Sequence, residues 1–232
     1  MNKNSAASLI GPASGSRVVL SRTFLAEELA NSITHGVGIL FSCAALVLLL
    51  LNVPEKSGTY FVSPSAAWIG FLIFGVSLLF LYIMSTVYHA LPDGRVRTIF
   101  QQLDHTAIFV LIAGSYSAFC LSAFYSTFGL WMCIAVWGMA LVGISAEILW
   151  GRRAHRFSLL LYLIMGWFVV SKFSIVAAAL PALNFRFLLA GGILYTAGVI
   201  FYVLQKLPWM HPIWHLFVLG GSVCHVLALL FL

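Results

Sequence analysis

Seven runs of mostly apolar residues dominate this chain, at roughly 32 to 51, 66 to 88, 105 to 124, 128 to 149, 157 to 180, 187 to 206 and 211 to 232. A helix needs about 20 such residues to cross a bilayer, because backbone polar groups in hydrocarbon must be satisfied within the helix itself. Composition points the same way: 62% of the residues are hydrophobic and 8% charged, against about a quarter charged in a soluble domain. A water-soluble fold is therefore excluded. The expected fold is all-α, an integral membrane bundle of seven transmembrane helices over residues 27–232, with residues 1–26 as a solvated cytoplasmic tail. That tail has no apolar core longer than Val18 to Leu20, so it lacks the middle region of a secretory signal. The loops are short and punctuated by Asn52 and Pro54, by Pro92, Asp93 and Gly94, and by Pro181, which leaves no segment for a separate soluble domain.

The net charge of +6 is spread over short segments between the apolar runs and forms no basic stripe, so it speaks for membrane orientation and against a nucleic-acid partner. With the N-terminus inside, the cytoplasmic side holds Lys3, Arg17, Arg22, Arg95, Arg97, Arg152, Arg153, Arg156 and Lys206, and the outer side only Lys56 and Arg186. Nine against two is a strong positive-inside bias, and seven spans then place the C-terminus outside. Lys172 falls within the fifth span, where it either snorkels to an interface or faces the bundle interior; with no obvious partner it is read as structural. The four cysteines, Cys43, Cys120, Cys133 and Cys224, form no C-x-x-C pair and read as buried thiols, although Cys120 and Cys133 flank one short loop and a bridge between them stays open.

Ionisable groups at the ends of membrane spans are costly and become functional candidates by default. Glu28, Asn31 and His35 enter the first span, Ser85 and His89 end the second, Asp104 and His105 open the third, Glu147 ends the fourth, and His211 and His215 open the seventh. Under the orientation above, all lie toward the cytoplasm. His211 and His215 are four apart, which puts them on one helical face about 6 Å apart in rise. Such a pair either grips a metal ion or makes ordinary interhelical hydrogen bonds. His89 is the natural third ligand, and Asp104 is suited to hold a water at an open fourth position or accept its proton. Three neutral imidazoles and a water form a borderline-soft set that suits zinc better than magnesium or calcium. Pro212 disfavours helical geometry at His211, so the last helix is expected to begin near residue 212 with His211 as a cap.

Other polar residues have plainer readings. Glu28, Asn31 and His35 either line the site or serve a helix start, with Glu28 on the helix dipole and Asn31 as cap. His225 lies about 15 Å along the helix from His215, too far for the same ion, and reads as a buried, hydrogen-bonded side chain. His105 is expected to face away from Asp104, and His155 to be solvated in an Arg-rich loop.

The run from Glu28 through Asn31 to His35, Ser85-Thr-Val-Tyr-His89, Gln102-Leu-Asp104 and His211-Pro-Ile-Trp-His215 together resemble the successive signatures of the hemolysin III proteins, which belong with the progestin and adipoQ receptors. The resemblance covers about residues 25 to 232 and is carried by the ordered set rather than by any one motif. It implies a zinc ion held by His89, His211 and His215, with Asp104 close to a zinc-bound water, Ser85 nearby, and Pro212 as a departure within the last motif. It also implies a multi-pass protein of a plasma membrane, the bacterial inner membrane. Two function classes stay open. One is a zinc-dependent hydrolase of a membrane-lipid amide or ester, since the receptors with this motif set are linked to ceramide hydrolysis. The other is a non-enzymatic sensor or regulator of lipid state with a structural zinc. A structural zinc is usually closed by four protein ligands, so three histidines lean toward chemistry. A lytic pore lacks an amphipathic inserting segment, and a retinal pigment lacks a lysine in the seventh span.

Overall fold

The apolar runs become helices that alternate in direction, so residues far apart in sequence meet at two opposite ends of one bundle. A computed structural model describes residues 14–55 and 63–232. Its helices are α1 (Ser14–Glu55), α2 (Pro64–Ala90), α3 (Arg95–Cys120), α4 (Thr127–Trp150), α5 (His155–Trp167), α6 (Phe173–Ala179), α7 (Ala182–Val203) and α8 (Met210–Leu230). Among the described residues, seven stretches are long and apolar enough to cross a membrane, the fifth combining α5, a 3₁₀ segment at Phe168–Lys172, and α6. Lys3 and Lys56 lie outside the described residues.

Helices begin earlier than the apolar runs do. α1 starts at Ser14, so the latter half of the expected tail is helical, and only Thr23–Val53 is membrane-like. α3 starts at Arg95 rather than near 105, because Arg, Gln and Leu propagate a helix whether or not they are apolar. Glu28 and Asn31 consequently lie inside a helix, neither in its first turn nor at its cap, which overturns the dipole and capping readings. The last helix also starts earlier than expected. α8 starts at Met210, after Trp209 in the left-handed conformation, and His211 is helical. Pro212 then sits in the first turn, where a backbone N–H would have no intrahelical acceptor, so the helix loses nothing by its absence.

α1 packs on α2, α2 on α3, α3 on α4, α7 on α8, and α8 back on α1. α3 is the most enclosed span, and the core between the helices is filled by Phe71, Phe74, Leu78, Tyr82 and Phe109. Large apolar side chains such as Leu40, Trp131 and Leu149 point outward, as expected where lipid replaces water. The fifth span unwinds where another helix supplies substitute partners: Tyr116 Oη of α3 donates to Met165 O at 2.8 Å and accepts from the Val169 N–H at 2.8 Å. Lys172 ends this segment with an exposed side chain. All four cysteines are free thiols, so Cys120 and Cys133 are not bridged.

Candidate metal centre

His89 stands in the last turn of α2, while His211 and His215 occupy the first turns of α8, which runs alongside α1 and closes the bundle. The three rings form a near-equilateral triangle, with centroids 5.1 Å apart for His89 and His211, 5.0 Å for His89 and His215, and 4.7 Å for His211 and His215. One donor nitrogen from each lies within 4.8 Å of the others. The Nε2 atoms of His89 and His211 are buried and have no hydrogen-bond partner among the described residues. Unpartnered buried nitrogens are costly, and these two converge with a nitrogen of His215 into a donor set for a first-row divalent cation.

In His215 and His89 the other ring nitrogen is occupied in a way that fixes the tautomer. His215 Nδ1 lies 3.3 Å from the Asn31 carbonyl oxygen and 3.3 Å from Thr34 Oγ1. A carbonyl only accepts, so Nδ1 carries the proton and Nε2 keeps its lone pair. His89 Nδ1 faces Glu28 Oε2 at 3.3 Å, and the same logic applies. Glu28 is also bonded to Arg97, whose guanidinium donates to Leu91 O at 2.9 Å and stacks over Tyr88. Carboxylate or carbonyl behind imidazole is the outer-shell pattern of metal-ligating histidines. Asn31 contributes through its main chain, while His35 lies flat against His215, with ring centroids 3.6 Å apart. The sequence reading treats Arg97 only as an orienting charge and passes over Thr34. A carboxylate at Glu28, close to the start of a membrane span and needing a cation, was the available signal for Arg97.

Ser85 and Asp104 do not join the donor triangle but line a cavity of about 20 Å³ with His35, His211 and His215. That volume suffices for one water. The cavity shares Leu81, Ile108, Tyr202, Trp214 and Val218 with an apolar cavity of about 160 Å³ between α3, α5, α7 and α8. His225 lines this larger cavity, edge-on to Phe119 and Tyr195 and away from the donor triangle.

Two histidines behave differently from their sequence reading. His105 also lines the small cavity, and it meets His155 with ring centroids 4.3 Å apart beside the buried Glu147. His155 opens α5 rather than lying in a solvated loop, and its side chain is 28% exposed. The reason is tertiary: the short turn from α4 into α5 folds His155 back onto α3.

A family profile described as Haemolysin-III related matches residues 24–226. Hemolysin-3 from Bacillus cereus is 41% identical over 208 residues, covering 90% of this chain and 92% of its own length. The Hemolysin-3 homolog of Bacillus subtilis (strain 168) is 41% identical over 207 residues, covering 88% of this chain and 93% of its own length. The human monocyte to macrophage differentiation factor is 30% identical over 212 residues, covering 88% of this chain and 83% of its own length.

Proposed function

The chain belongs to the haemolysin-III related family, and from that premise we propose that it is a zinc-dependent hydrolase of a lipid amide or ester, ceramidase-like, in a bacterial inner membrane. The observation that carries this reading is the adjacency of the two cavities, which share five lining residues. A water-sized space lined by Ser85, Asp104 and histidines lies against an apolar space between membrane helices, separated by walls that both share. An acyl chain suits the apolar part and a scissile carbonyl the polar part. The excess of Lys and Arg at this end of the bundle supports a cytoplasmic position for it.

His89, His211 and His215 would hold the zinc, with Nδ1 of His89 turned toward Glu28 and Nδ1 of His215 toward Asn31 and Thr34. Bound zinc supplies Lewis acidity, lowering the pKa of water and polarising a carbonyl. Asp104 is positioned in the water-sized cavity to take the proton from the attacking water and return it to the leaving amine or alcohol. Ser85 Oγ, at the wall of the same cavity, would donate to the oxygen on which negative charge develops. The apolar walls keep bulk water from the reacting carbonyl.

Asp104→Asn separates chemistry from metal binding. Zinc content and the folded state should persist, while cleavage of a long-chain ceramide in mixed micelles falls by about 10²- to 10⁴-fold, the usual weight of general acid-base catalysis. Wild-type protein with verified zinc that is inert toward ceramides, acyl amides and acyl esters would sink the hydrolase reading. A lipid-state sensor with structural zinc would then take its place.

A further inference from the structure

Glu147, in the last turn of α4, is 1% exposed, and a carboxylate enclosed by membrane helices requires a compensating positive charge. Arg153 and Arg156 stand close in sequence, but both side chains are exposed, and the ion-pair partners of Glu147 among the described residues are two imidazoles. Ser158 Oγ of α5 donates to Oε1, which fixes the carboxylate and leaves Oε2 facing His105 Nδ1 at 3.7 Å and His155 Nδ1 at 3.9 Å. Both distances exceed the roughly 2.7–3.2 Å of a direct hydrogen bond. Zinc bonds of about 2.0–2.2 Å at a tetrahedral angle hold neighbouring donors about 3.4 Å apart. The donors of His105, Glu147 and His155 all lie within 4.8 Å of one another, the same limit that contains the three-histidine group, so small side-chain rotations close either set.

We propose that His105, Glu147 and His155 form a second divalent-cation site of the zinc class. Two imidazoles and one carboxylate match the donor preferences of such ions, and the Ser158 hydroxyl behind the carboxylate supplies the orienting outer contact. A protonated histidine would neutralise Glu147 alone, whereas a divalent cation uses both imidazoles as ligands. The ion would clamp the C-terminal end of α4 and the N-terminal end of α5 to the body of α3. His105 follows Asp104 on α3 and also lines the water-sized cavity, so the clamp would fix one wall of the first centre. The proposal does not depend on hydrolysis or on occupancy of the three-histidine site.

The test is equilibrium dialysis of full-length protein in detergent against buffered zinc chloride, with zinc counted per chain and monodispersity checked by size exclusion. Wild type should bind two equivalents, His155→Ala one, His215→Ala one, and the double variant none. Glu147→Gln, which keeps the side-chain size, should also lose one equivalent. The site is overturned if His155→Ala and Glu147→Gln hold as much zinc as wild type, or if His215→Ala holds none. Should His215→Ala fail to remain monodisperse, the wild-type and His155→Ala counts decide alone. A single wild-type equivalent lost only with His155→Ala would instead retain this site and remove the three-histidine reading.

Discussion

Glu28 acts on the histidine triangle at one remove, because its carboxylate touches His89 Nδ1 and not the face of the ring that turns toward His211 and His215. Outer partners of this kind fix ring orientation and raise ligand basicity, and their loss typically costs 10- to 100-fold in metal affinity. Glu28→Gln should therefore weaken zinc binding by about that factor, measured by competition with a chromophoric chelator. An unchanged affinity would reduce the carboxylate to a structural partner of Arg97. At this scale the sequence was partly legible. The four-residue spacing of His211 and His215 is a local property, readable without a structure. The service of Asn31 through its carbonyl, and of Arg97 through Glu28, is not, because both depend on which helices become neighbours.

Helices α1 and α2 present Glu28, Asn31, His35, Ser85 and His89 together only because their backbones approach closely. Gly38 marks the contact: a Cβ there would lie 2.3 Å from Cδ1 of Tyr82, whose ring is fully buried. Tyr82 cannot swing away cheaply, since its hydroxyl donates to Ser222 Oγ of α8 at 2.8 Å, and Tyr195 Oη of α7 lies 2.9 Å from the same oxygen. Gly38→Ala should destabilise the bundle by about 1–3 kcal/mol, the usual cost of overpacking, and lower zinc occupancy as His35 and His89 shift. A thermal-unfolding midpoint in detergent that matches wild type would refute that packing account. The existence of the spans followed from hydropathy, which reports the lipid environment. Helix ends did not, because the polar turns at Arg95–Asp104 are helical without being apolar. The unwound stretch Phe168–Lys172 was illegible for a related reason: its replacement hydrogen bonds come from Tyr116, about fifty positions earlier.

Across the whole molecule, the alternating direction of the spans brings the two histidine clusters to the same end, and the excess of Lys and Arg there predicts that this end faces the cytoplasm. Reporter fusions after Ser126, between α3 and α4, should read outside, and fusions after Arg153 inside. Reversed signals would move the centre to the outer face and replace cytoplasmic-leaflet substrates with outer-leaflet ones. Metal binding itself is tested most directly by an anomalous difference map, collected on either side of the zinc absorption edge from crystals of the full-length protein. The account predicts a zinc peak enclosed by His89, His211 and His215, with Nε2 of each about 2.0–2.1 Å from the ion and Asp104 facing its open side. An absent peak in zinc-equilibrated crystals, with the three Nε2 atoms hydrogen-bonded to protein or water instead, would contradict it.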